Sequence, residues 1–184
     1  MRRLALIPAA FLASVLAGCG TPSQPLPMAV TPAEALQIRS WVPDALKGQV
    51  AVAAVQGGFE TGRWWGSKVS AAALQQALEE SLHAVGMRPA APEPAPRFEL
   101  QAQLVLLEQP TVAVIGVTVG TAVHYTLVDK ASGKLVYQRR IANIEEAGFG
   151  EAVLSPSERL RIANERALRS NINLMLRDLV TLRP

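Results

Sequence analysis

Two stretches with a period of two constrain this chain more than anything else in it. Phe98, Leu100, Ala102, Leu104 and Leu106 alternate with Glu99, Gln101 and Gln103. Ile115, Val117, Val119, Val123, Tyr125 and Leu127 then share one face, and Gly116, Thr118, Gly120, His124 and Thr126 the other. Successive side chains of a strand point to opposite faces, so each stretch reads as a strand buried on one side. Asp129-Lys130-Ala131-Ser132-Gly133-Lys134 supplies turn chemistry, and Leu135 to Ile141 returns as a hairpin partner. Such a sheet must lay its apolar face on a second layer.

Two helical patterns offer that layer. Ser70 is an N-cap candidate, with Val69 and Leu74 at the spacing of a hydrophobic staple. Leu74, Ala77, Leu78, Leu82 and Val85 recur at helical spacing, and Gly86 is placed for a left-handed C-cap. Later, Ser155, Pro156 and Glu158 read as N-cap, first-turn proline and capping-box acid of a long helix. Its apolar side holds Leu160, Ala163, Ala167, Leu174, Met175, Leu179 and Leu182, with Arg159, Arg166 and Arg177 away from it. The continuous apolar run Val50 to Val55 predicts a strand covered on both faces. Prolines 89, 92, 94 and 96 stiffen the connection into the first alternating stretch. The order β-α-β-β-β-α predicts an α+β fold, a small two-layer sandwich with helices packed on one face of a mixed sheet.

The N-terminus carries a different signal. Arg2 and Arg3 precede an apolar run from Leu4 to Leu16, the layout of a secretory signal peptide. The run ends in Leu16-Ala17-Gly18-Cys19, which resembles the lipobox of bacterial lipoproteins. That resemblance implies cleavage after residue 18, lipidation of Cys19 and anchoring by acyl chains. The apolar run is too short to span a bilayer comfortably. Gly20 follows the cysteine where Asp is the inner-membrane retention signal in the best-known species, so the resemblance points to the outer membrane, facing the periplasm. Residues 1–18 thus read as signal peptide, 19–46 as the lipidated cysteine and a Pro-rich tether, and 47–184 as one periplasmic domain. Within the tether, Thr31 and Pro32 are placed to cap a short helix near Ala33 to Ile38.

Composition narrows the function. The chain has 18 basic and 15 acidic residues; losing Arg2 and Arg3 leaves 16 against 15. Near neutrality is a poor footprint for nucleic-acid binding. Cys19 is the one cysteine, so no disulfide can form within the domain and the core must hold it. His83 and His124 lack partners at metal-ligand spacing, no nucleophile elbow occurs, and Ser155 is explained as a cap. No cofactor, metal site or catalytic constellation is expected. Glu145 and Glu151 are the nearest thing to an acid/base pair, and a solvated loop accounts for them.

After the lipobox, the pattern Val69 to Gly86, the strand Val123-His124-Tyr125-Thr126-Leu127, the turn Ser132-Gly133-Lys134 and the helix Glu158 to Glu165 resemble small uncharacterised proteobacterial outer-membrane lipoproteins. The architecture is more remotely similar to lipopolysaccharide-assembly and peptidoglycan-synthase-activator lipoproteins. The address signal, a sound small core and the lack of a catalytic constellation point to a non-enzymatic binding or scaffolding module of the cell envelope. Its partner would be an envelope protein, a lipid or a glycan, and the membrane itself would be held through the N-terminal acyl chains. A carrier of a lipid or glycan between helices and sheet is the alternative, and a hydrolase using Glu145 or Glu151 a more distant one.

The candidate interaction residues are Arg63, Trp64 and Trp65, in a Gly-rich loop from Gln56 to Ser67. Adjacent tryptophans cannot both point inward from extended backbone, and an exposed one suits an interface. Covering the end of the sheet is the other reading. Gly116 and Gly120 share a strand face, leaving either a docking surface or room for a packed neighbour. Arg139, Arg140 and the arginines of the final helix are candidates for anionic headgroups, although Glu158, Glu165 and Asp178 interrupt them.

Overall fold

The computed structural model describes residues 21–59, 61, 67–91, 95–110, 116–152 and 155–184. Cys19, Arg63, Trp64 and Trp65 lie outside the described residues. In chain order the elements are helices α1 (Pro25–Met28) and α2 (Pro32–Arg39), strands β1 (Val50–Val52) and β2 (Gln56–Gly57), and helix α3 (Ala71–Ala84). Strands β3 (Phe98–Glu108), β4 (Val117–Asp129) and β5 (Leu135–Ala147) follow, and α4 (Pro156–Leu179) closes the domain.

The sheet runs β1-β3-β4-β5, with β2 also pairing to β3. Both short strands lie parallel to β3, while β3, β4 and β5 are antiparallel neighbours, which makes the sheet mixed. A parallel pair needs a crossover, and α3 provides it between β2 and β3. Helices cover one face, as the alternation requires: Phe98, Leu100, Val123, Tyr125 and Leu127 are fully buried under Leu74, Leu78, Leu82, Leu168 and Ile172. The fold is the expected α+β sandwich with helices on one face of a mixed sheet.

Local chemistry explains the helix ends. Ser70 accepts a hydrogen bond from the Ala73 N–H. At the other end of α3, Gly86 takes φ +79°. Its N–H donates to His83 O and that of Met87 to Leu82 O, the paired bonds of a Schellman cap. Ser155 caps α4 through the Glu158 N–H at 3.2 Å. Glu158 does not return to close the expected box, because its carboxylate pairs with Arg161.

Three expectations need correction. The run Val50 to Val55 is an edge, not a strand covered on both faces; β1 ends at Val52 and β2 resumes at Gln56. Arg159 is buried, at 1% exposure, and donates to Ala152 O, whereas Leu174 is exposed. The largest change concerns the tether. From Ser23 onward the chain is packed on the domain, with Met28, Val30, Ala35, Ile38, Val42 and Leu46 all in the main core. Thr31 and Glu34 form a full capping box on α2, as its Thr-Pro start predicted. Met28 and its neighbours have nowhere better to go, because α3 and α4 leave an apolar groove that the preceding chain fills.

Candidate functional site

Chain direction sorts the loops into two ends. Ser70 before α3, Glu108 ending β3, Val117 opening β4, Ala147 ending β5 and Pro156 opening α4 all lie at one end. The hairpin turn at 130–134 and the cap at Gly86 lie at the other. The candidate loop that carries Arg63, Trp64 and Trp65 joins the first end, immediately before Ser67.

A polar network ties this end together. Ser23 and Ser67 hydroxyls are 3.2 Å apart, and the Ser23 N–H donates to Lys68 O at 3.1 Å. Asn164, fully buried on α4, donates to Ser67 O at 3.1 Å and accepts from Gln109 Nε2 at 2.8 Å. Gln109 also donates to Ser67 O at 2.9 Å and accepts from Lys68 Nζ at 2.7 Å. Burying amides is costly unless they are satisfied, and these satisfy one another. The result joins the segment after Cys19, the chain after the tryptophan loop, the β3–β4 connection and α4.

Charge is handled the same way. Glu165 is only 3% exposed, yet its carboxylate accepts from Arg161 at 2.6 Å and from the Gln24 N–H at 2.7 Å. Arg161 also grips Glu158, which holds that carboxyl below the usual range and pushes the guanidinium up. Glu151 pairs with Arg166 and caps Gly148 N–H, so its carboxyl too is held low. A general acid needs the reverse shift. Glu145 lines a groove with Arg166 on the outer side of α4.

The other candidates are scattered. His83 stands at the end of α3 beside the Arg88–Glu79 ion pair, on a surface cavity of 570 Å³ with Ala51 and Val52. His124 is on the open sheet face, 3.1 Å from Gln138 Nε2. Among the described residues no three His, Cys, Asp or Glu side chains gather as a metal-binding group. Gly116 and Gly120 also face the open side, where a Cβ on Gly116 would meet Glu146 Oε1 at 2.9 Å and one on Gly120 would lie 3.5 Å from Glu108. They make room for two carboxylate side chains. Arg139 is taken up by Asp178 at 2.7 Å.

Asn164 and Asn171 were not singled out from the sequence, and Glu165, read there as one of the acids interrupting a solvated face, is buried. The signal for the two asparagines was available: they sit seven residues apart on the stripe that holds Ala163, Ala167 and Leu168. Polar residues within an apolar stripe mark buried hydrogen bonding.

No family model and no curated protein matches the chain. Its fold is similar to that of a Xanthomonas campestris protein placed in the family DUF330, with TM-score 0.55 and 11% identity over 76% of this chain and 90% of that one. It is also similar to a Caulobacter crescentus protein described as a candidate lipoprotein, with TM-score 0.51 and 15% identity over 80% and 96%. A minor lipoprotein of Acinetobacter baumannii aligns with TM-score 0.46 and 10% identity over 76% and 99%. The first two likenesses show a shared fold.

Proposed function

We propose that this protein is a lipid-anchored, non-enzymatic module of the bacterial cell envelope, bound through Cys19 to the periplasmic face of the outer membrane. There it binds or positions another envelope component close to the bilayer. The observation that carries this reading is the Ser23–Ser67 contact at 3.2 Å, with Ser23 only 4% exposed. Cys19 is four residues before Ser23, a span of at most about 14 Å. A free tether to residue 46 would instead reach on the order of 80 Å. The domain therefore works next to its membrane rather than far out from it. Trp65 is two residues before Ser67, so in sequence it adjoins this same end.

The filled interface between helices and sheet favours a surface-binding module over a carrier with an interior ligand, since its large side chains are fully buried. No helix among the described residues is long and apolar enough to cross a membrane, in keeping with anchoring by acyl chains. The test has two parts. Cys19→Ser is expected to abolish palmitate labelling and release the protein from the membrane fraction. A photoreactive residue at Trp65 is expected to give a discrete adduct in living cells, with none from a probe at Lys134 at the opposite end. Membrane retention without Cys19 would overturn the anchor. Equal labelling from both probes, or none from either, would overturn the loop as the contact.

A further inference from the structure

The outer stripe of α4 holds a groove of about 400 Å³, walled by Glu34 of α2 on one side and Glu145 of β5 on the other. Arg166, Arg169 and Arg177 lie along its floor with Ser170 and Asn173. Residues 169, 173 and 177 form one row at i, i+4, i+8, and 166 and 170 begin the adjacent row.

The arginines of this helix divide into two kinds. Arg161 is gripped by Glu158 and Glu165, Arg166 by Glu151, and Arg159 is buried against Ala152 O. Arg169 and Arg177 form no ion pair among the described residues. Each is instead held through Nε: Arg169 donates to Pro27 O at 2.9 Å, and Arg177 to Asn173 Oδ1 at 2.7 Å. That contact fixes each side chain and leaves its terminal nitrogens without a hydrogen-bond partner among the described residues. A planar guanidinium offers parallel N–H groups that match the oxygens of a phosphate. Ser170 O–H and the Asn173 amide add neutral donors between them. Glu34 is already occupied, accepting at 2.7 Å from both the Thr31 N–H and Thr31 hydroxyl.

We propose that this groove binds a phosphate-bearing anion through Arg169 and Arg177. Arg166 is taken up by Glu151, so the other two guanidiniums face the two wall carboxylates. The groove draws an anion through the directed N–H groups of Arg169 and Arg177 rather than through surplus charge, and Glu145 limits how tightly it is held. The two guanidiniums spring from positions about 12 Å apart along the helix, which suits a ligand with two phosphoryl groups or an extended headgroup.

The test uses the lipidated protein in an uncharged detergent, titrated with inorganic pyrophosphate by calorimetry at low salt. Saturable binding is expected. The pair R169A/R177A should weaken it at least tenfold, R169K/R177K should weaken it severalfold while keeping the charge, and Glu145→Gln should tighten it. Lys47→Ala, on the exposed Lys47–Asp44 pair, should leave it unchanged. Thermal melts of each variant separate lost binding from lost folding, and the lysine pair preserves the test if the alanine pair fails to fold. No saturable binding, equal affinity in the lysine pair, or the same loss with Lys47→Ala would overturn the proposal. The source of the phosphate is read from a photoreactive residue at Leu174 in phosphatidylcholine vesicles with and without phosphatidylglycerol. An adduct to phosphatidylglycerol assigns a lipid headgroup, and its absence assigns a soluble phosphate.

Discussion

Tyr125 and Asn171 meet in the middle of the sheet–helix interface, the phenolic O–H donating to Asn171 Oδ1 at 3.0 Å with both residues fully buried. Asn171 Nδ2 donates in turn to Ile141 O and to Asn143 Oδ1, and Asn143 also accepts from Thr121. Burial pushes the Tyr125 phenol well above its ordinary value, so it remains a donor. One amide thereby satisfies groups on two strands.

Asn171→Leu is expected to cost about 3 kcal/mol, because it strands several buried polar groups at once. Tyr125→Phe removes one donor and should cost about 1 kcal/mol. The double variant should cost less than the sum, since the phenol needs no partner once it is gone. Urea denaturation of the four proteins measures this, and strict additivity would rule out the shared network.

Asp129 sets the pH dependence of the β4–β5 hairpin. Its carboxylate pairs with Arg97 at 2.7 Å and accepts from the Ala131 and Ser132 N–H groups, which hold its carboxyl below the ordinary value. A depressed folded-state value means that the stabilisation is present above the unfolded pKa of about 3.9 and is lost as pH falls through the folded one. Asp129→Asn is therefore expected to be less stable than wild type at pH 7, with the gap closing below about pH 4. A gap independent of pH would assign the loss to turn geometry alone.

The alternating strands were legible in the sequence because a half-covered sheet writes its burial into every second residue; the exception is Leu106, which the register break after Leu104 leaves exposed. Ser70 and Gly86 were legible for a similar reason, since caps depend on local chemistry. The packing of residues 23–46 was not. Prolines 22, 25, 27 and 32 suppress the helical period that would have marked it, and Met28 is buried against residues distant in sequence. Arg159 was misplaced because a long charged side chain is ordinarily assigned to solvent, whereas here it serves a carbonyl in the turn before its own helix. The end that holds Ser23 was half legible: Trp64 and Trp65 stood out in the sequence, but the two amides that tie Ser67 to Ser23, Gln109 and Asn164, lie on separate elements.

Gly57 offers a local test of how β2 docks. It takes φ +75°, and a Cβ there would stand 2.3 Å from the Leu104 carbonyl oxygen. That contact is with backbone paired in the sheet, so it has no easy relief. Gly57→Ala is expected to cost at least about 2 kcal/mol, combining a positive φ with the clash. Thermal unfolding checks the cost, and a change within about 0.5 kcal/mol would mean that β2 detaches freely from β3.

The four-residue helix α1 separates a tether from a packed segment within two positions. Met28 is fully buried and Leu26 is 68% exposed. If the segment belongs to the core, Met28→Ala removes a buried side chain and should cost about 2–4 kcal/mol, whereas Leu26→Ala should change stability by less than about 0.5 kcal/mol. A tether would give two small and equal effects. The same geometry predicts where slack can be added. A flexible Gly/Ser insertion between Gly20 and Thr21 lengthens the lead without touching the Ser23–Ser67 contact, so stability should stay constant. The Trp65 adduct should then fade as the domain moves away from its membrane, provided its target lies in or on that bilayer. An adduct that survives a long insertion would show that the target travels with the domain.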